Sequence, residues 1–288
     1  MQESLAIARK SASNLAATFW LLPRAKREGM SALYAFCRKV DDIADDESAP
    51  MDLRRKELSE WRADLRRACA AETPLFPVNR ELQPVIQRYK LPFEHFDALL
   101  QGVEMDLEIN RYEDYERLEL YCYRVASVVG LLSIEIFGYR DPACCDYAVY
   151  LGKALQLTNI LRDVRADAER GRVYLPLSQL RRFGTSPEAI LRLEYSPPFI
   201  EVAGSVADRA RHFYRLARET LPASERRNMA SAELMASVYW RLLKKLERRR
   251  FDVFGPKLTR LSKSQKLLLV LRAAWRFASG AMAPNYGI

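Results

Sequence analysis

Apolar residues in this chain recur at three- and four-residue spacing almost from end to end, and extended apolar–polar alternation is nearly absent. That period belongs to helices that bury one face. It predicts helices at about residues 3–21, 28–46, 52–71, 79–88, 93–109, 114–137, 143–168, 200–220, 231–253 and 263–281. Breakers such as Pro23, Pro50, Pro92, Gly138, Gly171, Gly184 and Pro197 fall between them. No Asn-Gly or Asp-Gly hairpin signal occurs, no linker is long or low in complexity, and no segment repeats at a fixed period. The expectation is an all-α fold, one helical domain over residues 1–288.

Two helices carry an unusual polar pattern. Residues 40–46 read VDDIADD, four carboxylates in six positions. At about 100° per residue, Leu33, Cys37, Val40 and Ala44 form one stripe. Tyr34, Arg38, Asp41 and Asp45 form the stripe beside it, while Asp42 and Asp46 lie further round. A solvated surface is the plain reading of an acidic helix end, but it fits poorly here. Carboxylates are unfavourable at a helix C-terminus, and like charges at i, i+4 repel. Two of them ~6 Å apart repel by about 3 kcal/mol at an effective dielectric near 20. A divalent cation would offset this, and all-oxygen ligation suits magnesium.

The second pattern is in residues 155–167, LQLTNILRDVRAD. Gln156, Asn159, Asp163 and Asp167 share one stripe of a helix that is apolar over much of its remaining circumference, so the stripe enters the interior. A satisfied buried polar network is one reading. Four oxygen-bearing side chains with no base on their stripe supply too few donors for it, and a second metal site fits better. Two such stripes facing each other would cage magnesium ions and a diphosphate, with basic residues at the rim. An apolar interior below would take a hydrocarbon tail and keep water from a carbocation.

Composition narrows the alternatives. Of the 288 residues, 49% are hydrophobic and 29% charged, a globular balance. The five cysteines lack CxxC spacing and the histidines are only His95 and His212, which argues against a disulfide framework, zinc or a histidine base. A reducing, cytoplasmic setting follows. Residues 120–139 are the most apolar stretch, but Arg124 and Glu135 interrupt it, and it reads as a buried helix. Residues 11–22 resemble a signal segment only vaguely and lack a clear cleavage site. The net charge of +9 includes Lys244, Lys245, Arg248, Arg249 and Arg250, and residues 257–276 are basic and amphipathic. No nucleic-acid-binding signature accompanies that charge, so no nucleic-acid partner is expected. Peripheral contact with an anionic inner-membrane surface is compatible with it. The oligomeric state stays open.

YAFCRKVDDIADD (34–46) and LQLTNILRDVRADAERGRVYLP (155–176) resemble the two signature regions of the squalene/phytoene synthase family. YCYRVASVVG (121–130) resembles a third segment, and SASN (11–14) loosely a serine-containing N-terminal one. The resemblance spans essentially the whole chain. It implies a helical isoprenoid-synthase fold with a central cavity, two or three magnesium ions bound with the substrate, and head-to-head condensation of prenyl diphosphates. It implies Asp41, Asp45, Asn159, Asp163 and Asp167 as metal ligands, with Asp41, Asp45, Asp163, Arg38 and Tyr174 catalytic. Ser13, Tyr34, Arg38, Gln156, Arg162, Arg172 and Tyr239 would bind substrate. Leu15 stands where the family often has an aromatic residue. Tyr121 and Tyr123 carry two readings, packing with a satisfied hydroxyl or catalysis. Together with GVEMDL (102–107), the motifs look most like the branch that makes presqualene diphosphate from farnesyl diphosphate for hopanoids. Phytoene, dehydrosqualene and complete squalene synthases are the alternatives, as are a cyclase, a chain-elongating synthase and a non-catalytic relative acting as an assembly factor.

Overall fold

The structure, a computed structural model, describes residues 1–10, 19, 22–279 and 284–287. Among these, α1 (Gln2–Lys10), α2 (Arg24–Asp45), α3 (Met51–Cys69), α4 (Pro77–Tyr89) and α5 (Phe93–Glu108) come first. Then follow α6 (Tyr115–Cys122), a π-helical turn (Tyr123–Ser127), α7 (Val128–Phe137) and the long α8 (Ala143–Glu169). Short α9 (Leu177–Arg182) and α10 (Pro187–Leu191) lead into α11 (Pro197–Thr220), α12 (Ala230–Arg248) and α13 (Lys263–Ser279). No strand occurs among the described residues; the one β-type pairing is an isolated bridge between Arg111 and Val173.

Most of the predicted helices are present, with shifted ends. The expected helix over 3–21 is described only as far as Lys10, and residues 11–18, including the SASN segment, lie outside the described residues. The expected helix over 231–253 stops at Arg248 because Arg250 and Phe251 take left-handed φ values of 51° and 57°. Helices α9 and α10 were not foreseen. They span only six and five residues, too short to show a repeating face, although Ser186 caps α10 by accepting from the Ala189 amide at 3.4 Å, with Pro187 next to it.

The middle of the bundle is set by a close approach. Helices α6 and α7 form one rod through the π turn, and this rod lies against both α5 and α8. A Cβ on Gly152 of α8 would stand 2.5 Å from Ser127 Cα and 2.7 Å from Ser127 N. A Cβ on Gly102 of α5 would stand 2.7 Å from Arg124 Cβ and 2.8 Å from Val125 Cγ1. Two glycines therefore let the π turn sit between α5 and α8 at nearly backbone contact. The Ser127 hydroxyl donates to the Val149 carbonyl at 2.8 Å and locks the crossing. The rod is long and apolar enough, by length and composition, to cross a membrane. Its place against α2, α5 and α8 accounts for that apolarity. Around it, buried side chains from α2 to α12 form one connected core, in which Phe36 meets Phe96 edge to face at 5.4 Å.

A second local device follows α8. Gly171 takes a φ of +72°, which reverses the chain with no side-chain penalty. The returning segment is pinned to the loop after α5: the Val173 amide donates to the Asn110 carbonyl at 3.0 Å, and the Leu177 amide to the Tyr112 carbonyl at 2.9 Å. Arg111 adds a bond from Nη1 to the Gly171 carbonyl at 2.7 Å. This strap carries Arg172 and Tyr174.

Adding a methyl group at the crossing should force the rod outward. Gly152→Ala is expected to lower stability by about 1–3 kcal/mol in denaturant unfolding. Gly204→Ala on α11, where a Cβ would meet nothing within 4 Å, is expected to be neutral or to gain about 0.5–1 kcal/mol.

Candidate active site

The acidic stripes of α2 and α8 face one cleft of about 280 Å³. Helix α2 contributes Arg38, Asp41 and Asp45; α8 contributes Gln156, Asn159, Asp163 and Asp167. Helix α5 adds Asp106, the rod adds Tyr121 and Val125, and the segment after α8 adds Arg170, Arg172 and Tyr174. Ala44, Val103, Val125 and Ile160 are the apolar parts of the wall.

The projection of α2 separates its acids correctly. Asp41 and Asp45 line the cleft, while Asp42 is exposed and pairs with Arg38 at 2.5 Å. Asp46 ends the helix and accepts from the Ser48 amide at 3.1 Å and from the Ser48 hydroxyl at 2.5 Å. These bonds hold its carboxyl below the usual range and give it a structural task of its own.

Each remaining acid has a different answer to its neighbours' charge. Arg162 grips Asp163 through two parallel bonds, Nε to Oδ1 at 2.7 Å and a shorter one from Nη2 to Oδ2. Asp45 is shared by Arg172 and Arg170, each 3.1 Å away. Asp106 accepts from Tyr174 at 2.6 Å and from Tyr121 at 3.0 Å. Those two rings stack at 5.2 Å between centroids, and Tyr112 stacks on Tyr174 at 5.7 Å. Burial raises the Asp106 carboxyl, and the tyrosine bonds act against that rise.

Among the described residues Asp41 and Asp167 have no ion pair. Asp41 keeps an open surface towards the cleft, but the walls displace bulk water around it. That desolvation, with Asp45 and Asp106 nearby, pushes its carboxyl up to about 7. Desolvation and then Asp163 push Asp167 up to about 8. The Asn159 amide nitrogen reaches Gln156 Oε1 at 3.3 Å, whereas its buried carbonyl oxygen has no partner.

An orphaned amide oxygen beside underneutralised carboxylates fits a hard cation with oxygen ligands. Among the described residues no three His, Cys, Asp or Glu side chains converge as a ready-made cage. The donor set therefore fits an ion that takes one or two carboxylates and completes its shell with water and phosphate oxygens, as magnesium does. Asp41, Asp45, Asn159, Asp163 and Asp167 could hold such ions.

The other expected residues fall into three groups. Arg172 is buried over Asp45, and Tyr174 reaches the same cleft. Arg162 stands behind Asp163, and Tyr239 lies near enough to act on its charge, so Tyr239 joins the α8 wall indirectly. Tyr34, one turn before Arg38, is half-buried against the core and is not part of the cleft lining; Ser13 lies outside the described residues. Of the two tyrosines with a double reading, Tyr121 enters the cleft and Tyr123 packs against the core. Asp106 and Arg170 were not foreseen. Asp106 had a signal: it follows Leu99 and Val103 on the buried stripe of α5, where an acid needs a partner. Arg170 had none, because the turn at Gly171 decides where it points.

An all-helical fold with two acidic walls and arginines around one polar cleft is built to take an anion together with hard cations. A model of the squalene/phytoene synthase family matches residues 8–265. The presqualene diphosphate synthase of Rhodopseudomonas palustris is 36% identical over 91% of this chain and 93% of its own. A phytoene synthase of Arthrospira platensis is 34% identical over 88% and 87%. A crystal structure of a dehydrosqualene synthase superposes with a TM-score of 0.84 at 27% identity, covering 96% of this chain and 95% of that one. The chain belongs to the squalene/phytoene synthase family.

The two raised carboxylates set a pH dependence. An acid whose folded pKa lies above its unfolded value near 4 binds protons more tightly when folded, so its contribution falls as pH rises to the folded value. The metal-free protein should therefore lose stability from about pH 4 towards 7 at Asp41 and towards 8 at Asp167. Denaturation of Asp167→Asn at pH 5 and pH 8 checks this: the variant should gain on the wild type at pH 8 and much less at pH 5. Separately, Asp41→Asn and Asp163→Asn should each lower turnover by about two to three orders of magnitude with the helical circular dichroism intact. Asp46→Asn should keep most turnover and show its effect mainly in thermal stability.

Proposed function

We propose that the protein joins two farnesyl diphosphates head to head and releases presqualene diphosphate. The coarser half of this reading is the chemistry of the family, prenyltransferases that condense prenyl diphosphates. The observation that carries it is the single cleft in which Asp41, Asp45, Asp163 and Asp167 face Arg38, Arg170 and Arg172. One set of groups suits magnesium and the other suits phosphate oxygens.

In this reading Arg38, Arg170 and Arg172 bind the diphosphate oxygens and orient the allylic carbon towards Tyr121 and Tyr174. Asp41, Asp45, Asn159, Asp163 and Asp167 would hold magnesium, which when bound would supply positive charge to the leaving diphosphate. The C2–C3 double bond of the second substrate attacks the allylic cation, and proton loss closes the cyclopropane. Burial raises the hydroxyls of Tyr121 and Tyr174 far from ionisation. They therefore stay protonated, donate to Asp106 and offer π faces to the cation. With both tyrosine hydroxyls kept protonated, released diphosphate is the base that this reading assigns to the departing proton.

The likeness to presqualene diphosphate synthases supports the product assignment. The comparable likeness to a phytoene synthase favours a second reading, in which geranylgeranyl diphosphate is the substrate. Purified protein incubated with farnesyl diphosphate and magnesium is expected to accumulate presqualene diphosphate, seen by mass spectrometry before and after phosphatase treatment. NADPH should not convert it efficiently to squalene, and excess chelator should stop the reaction. Squalene as the main product with NADPH would make the protein a complete squalene synthase. Phytoene from geranylgeranyl diphosphate, with farnesyl diphosphate inert, would move it to the second reading.

A further inference from the structure

Helix α13 turns an apolar face outward. Leu267, Leu268 and Leu271 are 58%, 57% and 57% exposed, and Trp275 is 68% exposed. On a helix these four positions share an arc of about 100°. The inward side is different: Leu269 is buried, and with Val270 it packs against Leu234, Val238 and Leu261. The helix is thus apolar on two sides, and among the described residues only one of them is covered.

The segment that carries this face has charge of one sign in its sequence. After Asp252 the sequence contains no acid, while Lys257, Arg260, Lys263, Lys266, Arg272 and Arg276 follow. Arg260 and Arg272 are exposed, and Lys266 lies near enough to Arg260 for the two charges to act on each other. By contrast, part of the basic cluster of α12 is already engaged. Lys244 pairs with Glu247 at 3.2 Å, Lys245 donates to the Arg260 carbonyl at 2.8 Å, and Arg249 reaches Thr259 at 3.3 Å. The basic run on α12 drew attention in the sequence, but the free surface is on α13.

We infer that α13 lies in the headgroup region of an anionic lipid bilayer, inserting Leu267, Leu268, Leu271 and Trp275 while the exposed Arg260 and Arg272 meet the lipid phosphates. An exposed leucine face in water is a liability that a bilayer interface removes, and tryptophan favours that boundary. The charge complement selects the occupant. A second copy of this chain would bring the same uncompensated bases to the same face, whereas anionic lipid neutralises them, each base strengthening binding about fivefold. The contact is peripheral and independent of the cleft.

The test is flotation of the full-length protein with vesicles of phosphatidylcholine alone or with 30% phosphatidylglycerol, at low and high salt. Binding is expected to the anionic vesicles, at least about tenfold above neutral ones, and to weaken at high salt. Leu271→Glu with Trp275→Glu should lower it about tenfold or more while turnover on detergent-dispersed substrate is unchanged. These positions are exposed, so the fold should persist, and circular dichroism checks it. As a second readout, brominated lipid should quench the wild-type fluorescence, and Trp275→Phe should abolish that quenching. Absence of binding at low salt, or binding indifferent to the paired substitution, would overturn the inference. So would light scattering that shows a dimer dispersed by the same substitution, since a second copy would then cover the face.

Discussion

Five carboxylates share one cleft of about 280 Å³, and their mutual repulsion is the constraint to which the rest of the site responds. Three are answered within the chain, each differently. Asp163 has a bidentate arginine, Asp45 has two arginines from the turn after α8, and Asp106 has two tyrosine hydroxyls. Asp41 and Asp167 remain: Arg38 acts on the first and Arg172 and Arg170 on the second without pairing, and desolvation makes both hold protons more tightly. A purely structural network would be expected to close itself, whereas among the described residues this one leaves two acids without an ion pair and the Asn159 oxygen without a partner.

Keeping repelling groups together requires walls that do not yield. The π turn between α6 and α7 is held at near backbone contact by Gly102 on one side and Gly152 on the other. It carries Val125 into the cleft and holds Tyr121 just before it. The strap after α8 is fixed with equal care, by backbone bonds to the loop after α5 and by Arg111. Tyr174 from the strap and Tyr121 from the rod both close on Asp106 of α5. Three separate segments are thereby tied at one carboxylate, and stiffness and chemistry meet in the same residue.

The C-terminal helix follows another logic. Its inner side joins a small apolar cluster with α12, separate from the main core, and its outer side is left apolar and rimmed by base. The bundle does not need that outer face for its own packing. Among the described residues the helix's buried cluster is built with α12 and Leu261, apart from the side chains that line the cleft.

Local periodicity made much of this legible from the sequence. The helix count in the main, the outward turn of Asp42 and Asp46, and the inward stripe of Gln156, Asn159, Asp163 and Asp167 all follow from a rotation of 100° per residue, which needs no knowledge of neighbours. The resemblance of the two motifs supplied the family. What escaped depends on contacts between segments. Asp106 could be suspected as an acid on a buried stripe, but its partners lie 15 and 68 residues away. Arg170 joins the site only because Gly171 turns the chain back. Tyr121 and Tyr123 are two residues apart on one rod, either side of the start of the π turn, and nothing local told which would enter the cleft. The face of α13 was visible as amphipathic, but which of its apolar sides stays uncovered was settled by the packing of Leu269 on α12. Sequence determined which face each helix offers; tertiary structure decided what each face meets, because helical rotation is a property of the backbone and a partner is a property of the whole chain.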